Sequence, residues 1–147
     1  MKLTRLIIWV VLAFVAFKLY GYVKVHSSGD VIAYKSFAEA LRADDRFAIK
    51  RIVIDEELAQ KVLETQPQRK DLLEGNSVLF TYYVIQRQTF ANDGETSFIF
   101  AEQVNRVDPP GESSFIGETA IRTSHGVELV KKDGKWRVVS FDDPAMR

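Results

Sequence analysis

Among the ionisable side chains of this 147-residue sequence, Glu102 is the one whose neighbours could give it chemistry. Strand alternation sets it on one face with Phe98, Phe100 and Val104. A carboxylate held among aromatics in a dry pocket titrates high enough to act as a general base near neutrality. The competing assignment is a solvated sheet margin, or a cross-strand ion pair with Arg87 or Arg122. Tyr82 and Tyr83 could lend such a pocket a hydroxyl, although adjacent tyrosines on a central strand are more commonly core aromatics with a satisfied O–H. The two histidines, His26 and His125, are expected in a linker and a loop, solvated, and without partners for a metal site or a nucleophile and base pair. Asp142-Asp143 and Asp55-Glu56-Glu57 lack the alternating ligands and Gly of a calcium loop, so capping and solubility explain them. With no cysteine in the chain, disulfides, thiolate catalysis, cysteine-based zinc sites and a lipidated N-terminal Cys are excluded together. No metal or cofactor is implied, and an enzymatic role is not indicated.

These residues need elements to position them, and the first is not part of a soluble domain. Leu6 to Phe17 is an unbroken apolar run, and Leu19 to Val23 resumes it beyond Lys18. Leu6 to Val23 measures about 27 Å as a helix, against a hydrocarbon core of about 30 Å. Lys18 can snorkel, and Tyr20 and Tyr22 suit the interfacial belt. A cleaved signal peptide fits the same start, but small residues come only at Ser27 and Ser28, far past the apolar core. The expectation is therefore an anchor over residues 1–25, a linker over 26–30 and a domain over 31–147. Lys2 and Arg5 favour a cytoplasmic N-terminus, while Lys18 and Lys24 oppose it; the expected arrangement is a single-pass signal-anchor in the inner membrane, with the domain periplasmic.

The N-terminal segment takes Lys2, Arg5, Lys18 and Lys24 and no acidic residue from a chain of formal net charge +0, so the domain is mildly acidic. Nucleic acid is not an expected partner, because its affinity comes from neutralised phosphates. At 46% hydrophobic and 27% charged the remainder has the composition of a packed domain. Asp30 is placed to cap a helix from Val31 to about Arg42, with Tyr34, Phe37 and Leu41 facing a sheet. Phe47 to Ile54 reads as strand or as second helix, and Asp55-Glu56-Glu57 opens a helix to about Thr65. From Ser77 the period becomes two. The strand around Val78 to Ile85 is apolar on both faces and expected to be covered on both. Asn92-Asp93-Gly94 turns the chain into Ser97 to Val107, Asp108 to Gly111 is a loop, Phe115 to Thr123 is a strand, and Ser124-His125-Gly126 is a turn or bulge. Gly126 to Lys132 and Lys135 to Phe141 form a hairpin on a type I′ Asp133-Gly134 turn.

Helices followed by long antiparallel strands ending G-V-E-L-V-K-K-D-G-K-W-R-V-V-S-F (Gly126 to Phe141) resemble the nuclear transport factor 2-like, or cystatin-like, superfamily. The resemblance covers Val31 to Phe141 and implies an α+β fold, one or two helices packed on a curved antiparallel β-sheet. Relatives of that kind include a longer periplasmic assembly component of type IV secretion systems, behind one membrane helix, and ketosteroid isomerase-like enzymes with an acid on the sheet as base. Met1 to Ile54 also resembles the start of membrane-bound AAA proteases, which implies a strand at I-K-R-I-V-I; no phosphate-binding G-x-x-x-x-G-K-[ST] loop or H-E-x-x-H helix follows.

Two functions remain. One is a membrane-anchored, non-enzymatic protein-interaction or assembly module, an accessory subunit of a bacterial envelope complex. Trp136 is then either a hairpin anchor or, if exposed, a docking spot, and Trp9 and Phe14 could pack on partner helices. The alternative is a small-molecule-binding or isomerase-like pocket using Glu102 with Tyr82 or Tyr83.

Overall fold

The computed structural model describes residues 2–71, 73, 75–108 and 119–146. Helix α1 (Lys2–His26) contains a 21-residue stretch, Leu6–His26, of mean hydropathy 2.1, none of which is buried. That stretch is about 31 Å long, enough to cross a hydrocarbon core. An apolar helix belonging to a soluble core would be covered; Trp9 and Phe14 are exposed, at 70% and 61%.

Two serines join this helix to the domain. Ser27 and Ser28 donate their hydroxyls back to the carbonyls of Val23 and Val25, at 2.6 and 2.7 Å, and helix α2 (Gly29–Arg42) starts at once. Asp30, expected as the cap, instead lies in the first helical turn and is buried. The reason is periodicity: positions 30, 34, 37 and 41 fall on one helical face, and that face meets the sheet.

Helix α3 (Arg46–Ile52) resolves the ambiguous segment as helix. Asp45 caps it, accepting from Ala48 N at 3.0 Å, and the inward positions are Ile49 and Val53, four apart, while Phe47 is left exposed. The strand implied by the protease resemblance is thereby corrected: only Val53 is extended, bridging Val138 in parallel, with Ile54 N donating to Val138 O at 2.8 Å. Helix α4 (Glu56–Glu64) is capped by Asp55, which accepts from Leu58 N at 2.8 Å, and α5 (Gln66–Asp71) follows.

Strands β1 (Ser77–Phe90), β2 (Thr96–Asp108), β3 (Thr119–Lys132) and β4 (Lys135–Asp142) form one antiparallel sheet in the order β1-β2-β3-β4. Asp133 and Gly134 have φ of 52° and 74°, the pair of positive angles that a type I′ turn requires. Bulges interrupt β1 between Val78 and Phe80 and between Ile85 and Arg87, and β3 is irregular against β4 between Glu128 and Leu129. Ser124-His125-Gly126, expected as a turn or bulge, lies in the middle of β3 and pairs without interruption with β2. The loop at 109–111 and the first part of the strand expected from Phe115 lie outside the described residues.

The core is α2 laid on the inner face of the sheet. Val31, Tyr34, Phe37, Ala38 and Leu41 pack with Ile99, Ala101, Val127, Leu129, Val138 and Phe141, closed at one side by Ile49, Ala59 and Val62. Each such large aliphatic or aromatic side chain contributes about 2 kcal/mol through burial. The expectation that β1 is covered on both faces is corrected. Its inner face carries Tyr83 and Ile85 against the core, while Phe80, Tyr82 and Val84 on the other face are 51%, 37% and 40% exposed, and Phe98 and Phe100, on that same face of β2 but further along, are 44% exposed each. The result is an α+β domain behind one apolar helix.

Candidate functional site

Several of the polar groups that the fold buries gather at one end of the inner face of β2 and β3, under α2 and α5. His125 shares strand parity with Val127 and Leu129, so it points inward and is 3% exposed. Its Nδ1 lies 3.0 Å from the Tyr34 hydroxyl. Tyr34 O–H has no other acceptor within the described residues, so it donates to Nδ1 and leaves the imidazole proton on Nε2. Burial drives the His125 pKa down to about 4; the Asp143 carboxylate opposes that shift, and Arg69 adds to it. His125 is therefore neutral at physiological pH. Burial, with Tyr83 nearby, pushes the Tyr34 phenol far above its ordinary value.

Beside His125 lies a buried ion pair. Arg69 Nε donates to Asp143 Oδ2 at 2.7 Å and Nη1 donates to the Val62 carbonyl at 2.6 Å, with side-chain exposures of 13% for Arg69 and 1% for Asp143. The guanidinium lies 5.6 Å from the centre of the Phe141 ring, near enough for a cation–π contact. Its remaining nitrogen, Nη2, is buried without a partner among the described residues. These groups border a cavity of about 80 Å³, lined also by Gln66, Gln103, Asn105 and Thr123. Gln103 and Thr81 both donate to Asn105 Oδ1, at 3.1 and 2.8 Å. With liquid water taking about 30 Å³ per molecule, the cavity holds a ligand of a few heavy atoms and nothing the size of a steroid. A neutral imidazole and the free Nη2 amino group of the guanidinium can orient an oxygen-bearing group. No nucleophile stands beside them. Among the described residues no cluster of three or more His, Asp or Glu side chains could hold a metal.

The candidates read from the sequence fall elsewhere or divide between faces. Glu102 is on the outer face of β2, where Arg122 Nη1 donates to its Oε2 at 2.7 Å; it does not line the inner cavity. Tyr82 is also on the outer face, with its ring 6.2 Å from that of Phe80. Tyr83 is on the inner face, donating to Glu39 Oε2 at 3.2 Å and meeting Tyr34 edge-on at 5.8 Å. Tyr82, Tyr83 and Glu102 thus do not share a pocket. Trp136 is half-buried, and its Cδ1 and Nε1 lie 3.1 Å from where a Cβ on Gly29 would sit, so a larger residue there would push the indole back by a few tenths of an ångström. Its ring centre is 6.3 Å from that of Phe90. His26, at the end of α1, accepts at Nδ1 from Lys35 Nζ, 2.7 Å away. His125 is not the solvated loop residue expected of it, because β3 runs straight through it.

A single helix cradled on the inner face of a curved antiparallel sheet, with a small polar cavity at one end, is the nuclear transport factor 2-like fold. Solved structures of similar fold include two that follow. The chain is similar to a candidate ketosteroid isomerase from Shewanella frigidimarina, with TM-score 0.55 and 12% identity over 80% of this chain and 95% of that one. It is also similar to an NTF-2-like protein of unknown function from Silicibacter pomeroyi, with TM-score 0.51 and 15% identity over 82% of this chain and 96% of that one. No family model and no curated protein matches the sequence.

Proposed function

We propose that this protein is a membrane-anchored, non-enzymatic interaction module, an accessory subunit of a bacterial envelope complex with its domain outside the cytoplasm. The observation that carries the interaction reading is the outer face of the sheet, where Phe80, Tyr82 and Val84 stand exposed on β1 and, nearer the β1–β2 turn, Phe98 and Phe100 stand exposed on β2. Exposed large hydrophobic side chains gathered on one face mark protein interfaces. Arg87 and Glu128 border it with charges of both signs, a polar rim suited to a second protein. The anchoring part is supported by α1, apolar and uncovered over 21 residues. Extraction of the full-length protein from native membranes in mild detergent should retain a partner, and F98S/F100S should lose it while remaining folded by circular dichroism. Retention of the same partner by F98S/F100S, or the absence of any partner with the wild type, refutes the reading.

A small-molecule function is supported by a different observation, the partnerless Arg69 Nη2 beside an 80 Å³ cavity. In that reading the guanidinium and His125, not Glu102, hold the oxygen of a small ligand. Titration of short carboxylates against tyrosine fluorescence should then saturate with wild type and fail with Arg69→Gln.

A further inference from the structure

The end of the domain nearest the anchor is built from both hairpin tips. Asp30, in the first turn of α2, accepts hydrogen bonds from Ser97 at the start of β2 and Gln88 near the end of β1, at 2.5 and 2.6 Å. Lys131 N donates to Glu95 O at 2.7 Å, joining the two hairpins side by side. Trp136 touches Gly29, three residues after the end of α1. The Asp133-Gly134 tip is two residues beyond Trp136, about 7 Å of strand. The β3–β4 turn therefore projects from the same end of the domain as α1.

That turn is strongly basic. Lys132, Lys135 and Arg137, with Lys50 from α3, surround an open hollow of about 440 Å³ floored by Val53 and Ile54, and Asp133 is the one acid in its wall. Lys50 is paired with Glu56. Lys132 and Lys135 are exposed and, like Arg137, hold no ion pair among the described residues. Phe90, 51% exposed, and half-buried Trp136 lie beside this end, and aromatic side chains of this kind favour the headgroup region of a bilayer.

We infer that this hollow is a docking site for the phosphodiester headgroup of an anionic phospholipid in the same membrane that holds α1. The inference rests on the anchoring reading. Unpaired lysines and an arginine converge where a phosphate would sit, and the tether keeps the site within reach of the bilayer at a high effective concentration. Bound headgroups would hold the domain upright on the membrane with one defined side facing outward.

The test uses the full-length protein with Trp9→Phe, which leaves Trp136 as the one tryptophan of the chain's two. It is reconstituted into vesicles of phosphatidylcholine alone, or with about a third phosphatidylglycerol, and Trp136 is quenched by headgroup-labelled lipid. Quenching should be stronger in the anionic vesicles. Each lysine near a charged surface changes the docked to undocked ratio by about fivefold, so K132Q/K135Q should lower it about 25-fold. K132R/K135R should retain it, and molar salt should abolish it. Equal quenching in the two lipids, or no loss in K132Q/K135Q, overturns the inference. If inorganic phosphate at matched ionic strength releases the hairpin, the ligand is a soluble oxyanion and the lipid assignment is overturned. An alkaline wash separates the two readings. Protein that washes off refutes the anchor, whereas protein that stays without lipid dependence refutes only the headgroup site.

Discussion

Replacing Asp30 with alanine should cost this domain about 4 kcal/mol. The carboxylate is 1% exposed, and its Oδ2 receives the Ser97 hydroxyl at 2.5 Å and the Gln88 amide at 2.6 Å. Hydrogen bonds to a charged group contribute about 1.5 to 3 kcal/mol each, and both donors would be left unpartnered. Four kcal/mol is a large share of the usual 5 to about 15 for a domain, and at about 4 °C per kcal/mol the melting temperature should fall by about 15 °C. Asp30→Asn keeps an oxygen for one donor and presents an amide to the other, so about half the loss is expected. Burial by itself would raise the Asp30 pKa, but hydrogen bonds from Ser97, Gln88, Ser28 and the Val31 N–H outweigh it and hold the carboxyl below its ordinary value. The unfolded chain therefore takes up this proton first as pH falls. Asp30's contribution is complete above the unfolded value of about 4 and is lost as pH drops through the folded value. Urea unfolding of detergent-solubilised wild type and variants, followed by circular dichroism, should show a constant gap from about pH 8 to about pH 5, narrowing below about pH 4. A loss under about 1 kcal/mol for Asp30→Ala, or a gap that widens in acid, would refute the reasoning.

His125 supplies a second pH dependence, in a higher window. Its folded pKa of about 4 lies below the unfolded value, so stability should fall by up to about 3 kcal/mol as pH drops from about 6.5 to about 4, and His125→Leu should flatten that limb in urea midpoints. Asp143→Ala strands the Arg69 guanidinium in the interior and should cost about 3 kcal/mol by thermal unfolding, with the loss largely relieved in an R69M/D143A double variant. Glu102→Ala removes only an outer-face pair with a mostly exposed arginine, and its urea midpoint should move by less than about 1 kcal/mol.

Much of the fold was legible because local chemistry specified it. The Asp133-Gly134 turn, the Asp55 cap and the 34, 37, 41 spacing each depend on neighbours a few residues away, and each formed as read. Phe47 to Ile54 was not legible. The segment suits strand and helix alike, and the choice is made by Ile49 and Val53 reaching one core while Val138 offers Ile54 an edge carbonyl. The polar cluster was missed for two separate reasons. His125 has a usable signal in its shared parity with Val127 and Leu129, masked by the turn-forming chemistry of Ser-His-Gly. Asp30 likewise shares the helical face of Tyr34, Phe37 and Leu41. Arg69 and Asp143 had no such signal, being 74 residues apart and joined only by how α5 meets the end of β4.

The two bulges in β1 also affect how many copies can share a membrane. Among the described residues β1 is paired on one side only, so it is a 14-residue sheet edge with open backbone groups. In the anchored reading, tethering would confine such edges to a plane, where molecules meet far more often than in solution, and a flat apolar edge would recruit its neighbours strand by strand. The extra residues Leu79 and Gln86 twist the strand out of register at two points along its length. No stretch of β1 longer than about seven residues is left straight. An incoming strand would lose its hydrogen-bond match before it could be held, which would let an anchored copy share a crowded membrane surface without zipping into fibres.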